Sequence, residues 1–150
     1  MITSELLEQA AVNLAKANKR RPIVYLSGPI TKGNRNHHLF AAWEAHEMLM
    51  KAGFSVINPM LNMQCPFNVP GAPWAMDHQT WLENDLPQMA AAQAVFRLPG
   101  ESLGAEMECM WAKQCGVPIY TDMEELIRYR DNLFTIQIIM REELQDAQSY

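Results

Sequence analysis

Two kinds of apolar pattern alternate along the chain. Continuous β-rich runs stand at Ile23-Val24-Tyr25-Leu26-Ser27, at Phe54-Ser55-Val56-Ile57, from Gln93 to Leu98, and at Val117-Pro118-Ile119-Tyr120. Runs of this kind suit parallel strands covered on both faces. Segments with helical spacing lie between and around them. Leu7, Ala10, Ala11 and Leu14 mark a first helix that Thr3 or Ser4 can cap and that Pro22 ends. Lys16, Lys19, Arg20 and Arg21 gather at its end, where cations complement the helix dipole.

The spacing predicts a second helix over residues 37–52, with Asn34 or Asn36 as its cap and Gly53 as its stop. A third, over 78–91, carries Trp81, Leu82, Asp85, Leu86 and Met89, with Asp77 or Thr80 as cap. Pro87 lies inside it and leaves the carbonyl of Glu83 without a partner, so a kink beside Asp85 is expected. A helix-like segment from Met107 to Cys115 follows the third apolar run. Thr121-Asp122-Met123-Glu124 reads as a capping box before Leu126 and Ile127. Ile136, Ile139, Met140, Leu144 and Ala147 form a last amphipathic stripe over 134–147.

The order α-β-α-β-loop-α-β-α-β-α-α calls for an α/β fold, a doubly wound, Rossmann- or flavodoxin-like parallel sheet of four or five strands flanked by helices. One domain over 1–150 is expected, with an added N-terminal helix (3–20) and C-terminal helix (134–147). Either added helix would pack on the core or on a second subunit.

Composition narrows the function. The 150 residues are 49% hydrophobic, enough for a real core. The net charge of −5, with no long basic run, disfavours a nucleic-acid polymer as partner and leaves a small ligand held by local groups. Three cysteines, Cys65, Cys109 and Cys115, lack metal-ligand spacing, and the simplest expectation is a reduced, cytoplasmic protein. The first twenty residues do not read as a signal peptide, and no apolar run reaches membrane length. His37, His38, His46 and His78 show no metal spacing, so no metal is expected; His37 and His38 border the first loop, within reach of a substrate.

Three stretches carry candidate chemistry. Pro99-Gly100-Glu101-Ser102-Leu103-Gly104-Ala105-Glu106-Met107-Glu108 joins a strand to a helix. In an open parallel sheet, ligands bind outside the carboxyl ends of strands, and free amides at a helix start suit anionic oxygen. Gly28-Pro29-Ile30-Thr31-Lys32-Gly33 is a second small-residue loop at a strand end. Residues 59–77 show no periodicity but hold Met60, Met63, Phe67, Trp74 and Met76, which argue against disorder and fit either a lid over a planar group or a structural flap. Asp85 and the acids near 106–108 supply paired carboxylates, the logic of glycoside cleavage.

From Ile23 to Tyr120 the chain resembles the nucleoside 2-deoxyribosyltransferase superfamily. The matching pieces are Tyr25-Leu26-Ser27-Gly28-Pro29-Ile30, Asn84-Asp85-Leu86, and Ser102-Leu103-Gly104-Ala105-Glu106-Met107-Glu108 with Ala112 and Gly116 beyond. That superfamily includes base-exchanging transferases and hydrolases of nucleoside 5′-monophosphates. The resemblance implies a Glu nucleophile at the start of the helix. The ungapped match gives Glu108; Glu106, about 200° away around a helix, then reads as a first-turn acid. It implies that Asp85 contacts the sugar or helps protonate the departing base, and that Tyr25 orders the nucleophile.

Ser102 stands where the transferases carry Asp and the monophosphate hydrolases carry a phosphate-holding Ser, unless it is only a helix cap. The phosphate cradle implied is Ser27, Gly28, Pro29, Ile30, Lys32, Gly100, Ser102 and Gly104, with Arg35 able to add charge; Trp74 and Met76 would stack on the base. The expected reaction is release of free base from a (deoxy)nucleoside 5′-monophosphate through a glycosyl-enzyme, a mechanism that requires no organic cofactor. The alternatives are base exchange on free deoxynucleosides, for which Glu101 could replace the missing Asp, and non-catalytic nucleotide binding. The resemblance also implies a homodimer or larger homo-oligomer.

Overall fold

The computed structural model describes residues 1–17, 21–30, 32–64 and 76–149. The elements in order are α1 (Ser4–Ala17), β1 (Ile23–Ser27), α2 (Arg35–Lys51), β2 (Ser55–Ile57), a 3-10 turn (Pro59–Gln64), α3 (His78–Ala91), β3 (Ala94–Arg97), α4 (Leu103–Gln114), β4 (Ile119–Tyr120), α5 (Met123–Arg128), a second 3-10 turn (Arg130–Asn132) and α6 (Leu133–Gln148). The four strands are all parallel and run β2-β1-β3-β4. The fold is a doubly wound α/β sheet.

Side chains alternate across the strands and split the core in two. Val24, Leu26, Ala94 and Phe96 pack with Ala42, Ala45 and Leu49 of α2 and with Leu126 and Leu133. Tyr25 and Val95 point the other way, into Met89 of α3, Ala112 of α4 and Val117. The strand order therefore reverses between β1 and β3, so the crevice at their carboxyl ends is the expected ligand site.

Helix starts follow their caps. The side chains of Asn34, Asp77 and Ser102 accept from the backbone N–H of His37, Thr80 and Ala105. The capping-box reading at 121–124 shifts by one residue: Asp122, not Thr121, accepts from Glu124 N and Glu125 N. Both amides meet the same carboxylate oxygen, Asp122 Oδ1, at 2.8 and 3.1 Å, each using one of its lone pairs. α4 begins at Leu103, not Met107, because the Ser102 cap starts the turn four residues earlier. α3 runs unbroken through Pro87. Pro59–Gln64 winds as 3-10 helix where no period was legible; residues 65–75 of the expected lid, Trp74 included, lie outside the described residues.

α6 docks on the core. Leu133 is fully buried, and Gln137 Nε2 donates to Ala92 O at 2.6 Å. Arg141 reaches the carbonyls of Cys115 and Ala90, both at 3.3 Å. By contrast, residues 4–13 of α1 are exposed throughout. Among the described residues no helix is long and apolar enough to cross a membrane.

Candidate active site

Two glycines bring the ends of β1 and β3 together. A Cβ on Gly28 would lie 2.9 Å from Leu98 Cβ, and Gly100, at φ +120°, lies so close to Pro29 that a Cβ there would sit 2.8 Å from its ring. Leu98 N donates to Ser27 O at 2.8 Å, extending the strand pairing past the sheet. The turn after β3 is then fastened by Arg97. Its side chain is 11% exposed and donates to Leu98 O, to Gly100 O at 2.9 Å and to Glu106 Oε1 at 3.0 Å. Glu106 is thus committed to an ion pair on the outer side of α4.

Glu108, two residues on, faces inward. Tyr25 OH donates to its Oε1 at 2.9 Å, and Ser27 Oγ donates to its Oε2. Tyr25 and Ser27 share a face of β1 because strand side chains repeat every second residue. Burial is the main influence on Glu108 and raises its pKa. The bonds from Ser27 and Tyr25 oppose that, nearby Asp85 adds to it, and Arg97 opposes it. Asp85, on α3, is also pushed up, chiefly by burial, with a smaller opposing bond from Asn84 Nδ2 at 2.8 Å. The Tyr25 phenol is pushed far up, first by burial and then by the Glu108 and Asp85 charges, so it stays protonated and a donor.

A cavity of about 470 Å³ opens over these groups. Of the residues singled out in the sequence, Gly28, Ile30, Lys32, Met76, Asp85, Ser102, Gly104 and Glu108 line it. The fully buried Tyr25 and the nearly buried Ser27 stand behind Glu108 instead. Ser27, grouped with the phosphate cradle on sequence grounds, has its hydroxyl committed to the acid. Pro29 and Gly100 shape the wall by packing on each other. Ser102 caps α4, its Oγ accepting from Ala105 N at 3.2 Å; a hydroxyl used this way still has its proton to donate. Lys32 is paired with Glu101 across the two loops. His38 turns back to the carbonyl of Lys32, and neither His37 nor His38 is on the wall.

The wall also holds His78, Trp81 and Leu82 of α3, and Pro59 and Met60 of the 3-10 turn. Trp81, Leu82 and Asp85 share a helical face, a period visible in the sequence. His78 reaches the site from the first turn of α3, near Gly104, a proximity only the fold reveals. Trp81 Nε1 is buried and makes no hydrogen bond. Among the described residues no three His, Cys, Asp or Glu side chains gather as a metal site.

The arrangement can hold a neutral planar group against methionine and tryptophan, place anionic oxygen at the start of α4, and present one pinned carboxylate beside a second acid. Residues 22–121 match the family described as "Domain of unknown function (DUF4406)", and the chain belongs to that family. No curated protein matches it in sequence. Among solved structures it is similar to the 2-deoxyribosyltransferase of the psychrotolerant bacterium Bacillus psychrosaccharolyticus, described as a biocatalyst for synthesis of nucleosides. Identity is 21%, the TM-score is 0.51, and the match covers 65% of this chain and 69% of that one. The likeness to the nucleoside 2-deoxyribosyltransferase superfamily thus holds at the level of the fold.

Proposed function

We propose that this DUF4406 protein cleaves the N-glycosidic bond of a (deoxy)nucleoside 5′-monophosphate, with Glu108 as nucleophile and Asp85 as its acid partner. The observation that carries the reading is the Glu108 carboxylate, gripped by Tyr25 and Ser27 at a cavity it shares with Asp85. The fold it shares with a 2-deoxyribosyltransferase supports the same chemistry.

The base lies against Met60, Met76 and Trp81, and the phosphate lies over Ser102 and Gly104 at the start of α4. An electron pair of the Glu108 carboxylate forms a bond to C1′ as the C1′–N bond breaks and its electrons leave with the base. Asp85, whose burial favours the protonated form, supplies the proton. Water then attacks C1′ and gives a proton to the Asp85 carboxylate, and Glu108 leaves as carboxylate. Splitting the reaction this way replaces one hard step by two easier ones. Tyr25 keeps its proton throughout and orients the acid.

The ion pair of Lys32 with Glu101 favours a second reading. A phosphate must compete with Glu101 for that cation, whereas a free nucleoside need not. Base exchange on free deoxynucleosides uses the same acid and the same covalent intermediate. One incubation separates the two: the protein with a deoxynucleoside, a deoxynucleoside monophosphate and a second free base, followed by product separation. Free base with sugar phosphate supports hydrolysis. A new nucleoside supports exchange. Neither product, with nucleotide bound, leaves a binding protein and rejects both.

A further inference from the structure

We propose that Ser27 is a positioning residue for the Glu108 nucleophile: it holds the carboxylate oxygen that Tyr25 does not, so that the acid meets the cavity in one orientation. The role of the carboxylate as nucleophile rests on the function proposed above; its positioning by Ser27 does not.

Ser27 is 1% exposed, at the end of a strand whose preceding residues, Ile23 to Leu26, are apolar or aromatic. A buried hydroxyl needs a partner, and this one donates to Glu108 Oε2 while Tyr25 OH takes Oε1 at 2.9 Å. The two donors come from one strand, two residues apart, and meet a side chain from α4 more than eighty positions later in the chain. Each oxygen then has one lone pair engaged on the strand side and another left over. A carboxylate with one oxygen tied can swing about its last torsion; with both tied it cannot.

Other groups also act on Glu108. Tyr25 faces it from β1, Asp85 from α3 and Arg97 from β3; Glu106 and Cys109 lie on its own helix, and Lys32 and His78 share the cavity wall. Ser27 differs from all of these in carrying no charge in any state. Replacing it changes no charge in the site, so whatever follows reports the lost hydrogen bond. Hydrogen bonds to a carboxylate favour its charged form. In the reaction this bond orients the attacking anion and later stabilises the departing one, with the serine proton staying on Oγ.

The test uses the full chain with 13C-labelled glutamate, the Glu108 carboxyl signal being identified by its loss in Glu108→Gln. Its titration midpoint is followed in the wild type, Ser27→Ala and Ser27→Cys, the last keeping side-chain volume while weakening the donor. In parallel, base release from the common deoxynucleoside 5′-monophosphates is measured against pH. The expected result is a midpoint displaced to higher pH in both variants. The acid limb of kcat/KM should move with it, with a loss of about tenfold or more at mildly acid pH. An unmoved midpoint in both variants, with circular dichroism like that of the wild type, overturns the proposal. A displaced midpoint in a protein that never releases base leaves the positioning role standing and rejects the glycosidase reading.

Discussion

Tyr25 OH lies 2.9 Å from Glu108 Oε1, joining the first strand of the sheet to the helix that follows the third. The strand is buried on both faces, so the phenol cannot swing to water. Its own ionisation is strongly suppressed by burial and by the two nearby acids. Tyr25→Phe keeps the ring packing among Met89, Val95 and Ala112 and removes only the donor. Base release should fall roughly tenfold to a hundredfold, the worth of one hydrogen bond to a charged group, with the fold unchanged by circular dichroism. A variant with wild-type kcat/KM would show that the bond does no catalytic work.

The stability of the protein should carry the cost of the buried acid. The native pKa of Glu108 is raised above its ordinary 4.5, mainly by burial. The folded state therefore binds the proton more tightly than the unfolded state. Stability then falls as pH rises from the ordinary value to the native one, and the full cost persists above that window. Glu108→Gln removes the charge. Its Tm should exceed that of the wild type by about 2–4 °C near pH 8, and the gap should close as pH falls toward 4. A gap that widens on acidification contradicts this sign.

Arg97 fixes the turn that aims α4. Its nearly buried guanidinium serves two carbonyls and Glu106. Arg97→Met keeps the aliphatic stem and strands those acceptors, at a cost of about 1–3 kcal/mol in urea unfolding. Glu106→Gln should cost far less, because its side chain is mostly in solvent and exposed pairs contribute little.

The Lys32–Glu101 pair bears on ligand choice rather than stability. Both side chains are exposed, so breaking the pair should leave Tm unchanged. Glu101→Gln frees Lys32 for anionic oxygen and removes a negative charge next to Ser102. The KM for a nucleoside monophosphate should fall severalfold, and that for the free nucleoside should stay as it was. Equal changes for both substrates would place the phosphate elsewhere.

Much of the scaffold was legible because its signals are local. Strand runs such as Ile23–Ser27 are continuous, and the caps Asn34, Asp77 and Ser102 sit directly before their helices. Helix geometry says that only one of Glu106 and Glu108 can face inward; the choice of Glu108 comes from the family resemblance. The bonds that define the site are not local. Ser27 reads as the last residue of a strand and, by the resemblance, as part of a phosphate cradle, until the fold brings Glu108 to it from across the chain. Arg97 reads as a polar interruption of an apolar strand; its targets are backbone carbonyls, which carry no sequence signature. The 3-10 turn at Pro59–Gln64 has too few residues for a period to show, and it takes its place by inserting Met60 into the core.

The central claim is that one acid on α4 does the chemistry and its neighbour two residues away does not. Glu108→Ala and Glu106→Ala, compared with the wild type for release of free base from deoxynucleoside 5′-monophosphates, test it directly. Loss of base release in Glu108→Ala, with Glu106→Ala retaining it, is the expected result. Turnover at the wild-type rate in Glu108→Ala, with loss in Glu106→Ala, would contradict it.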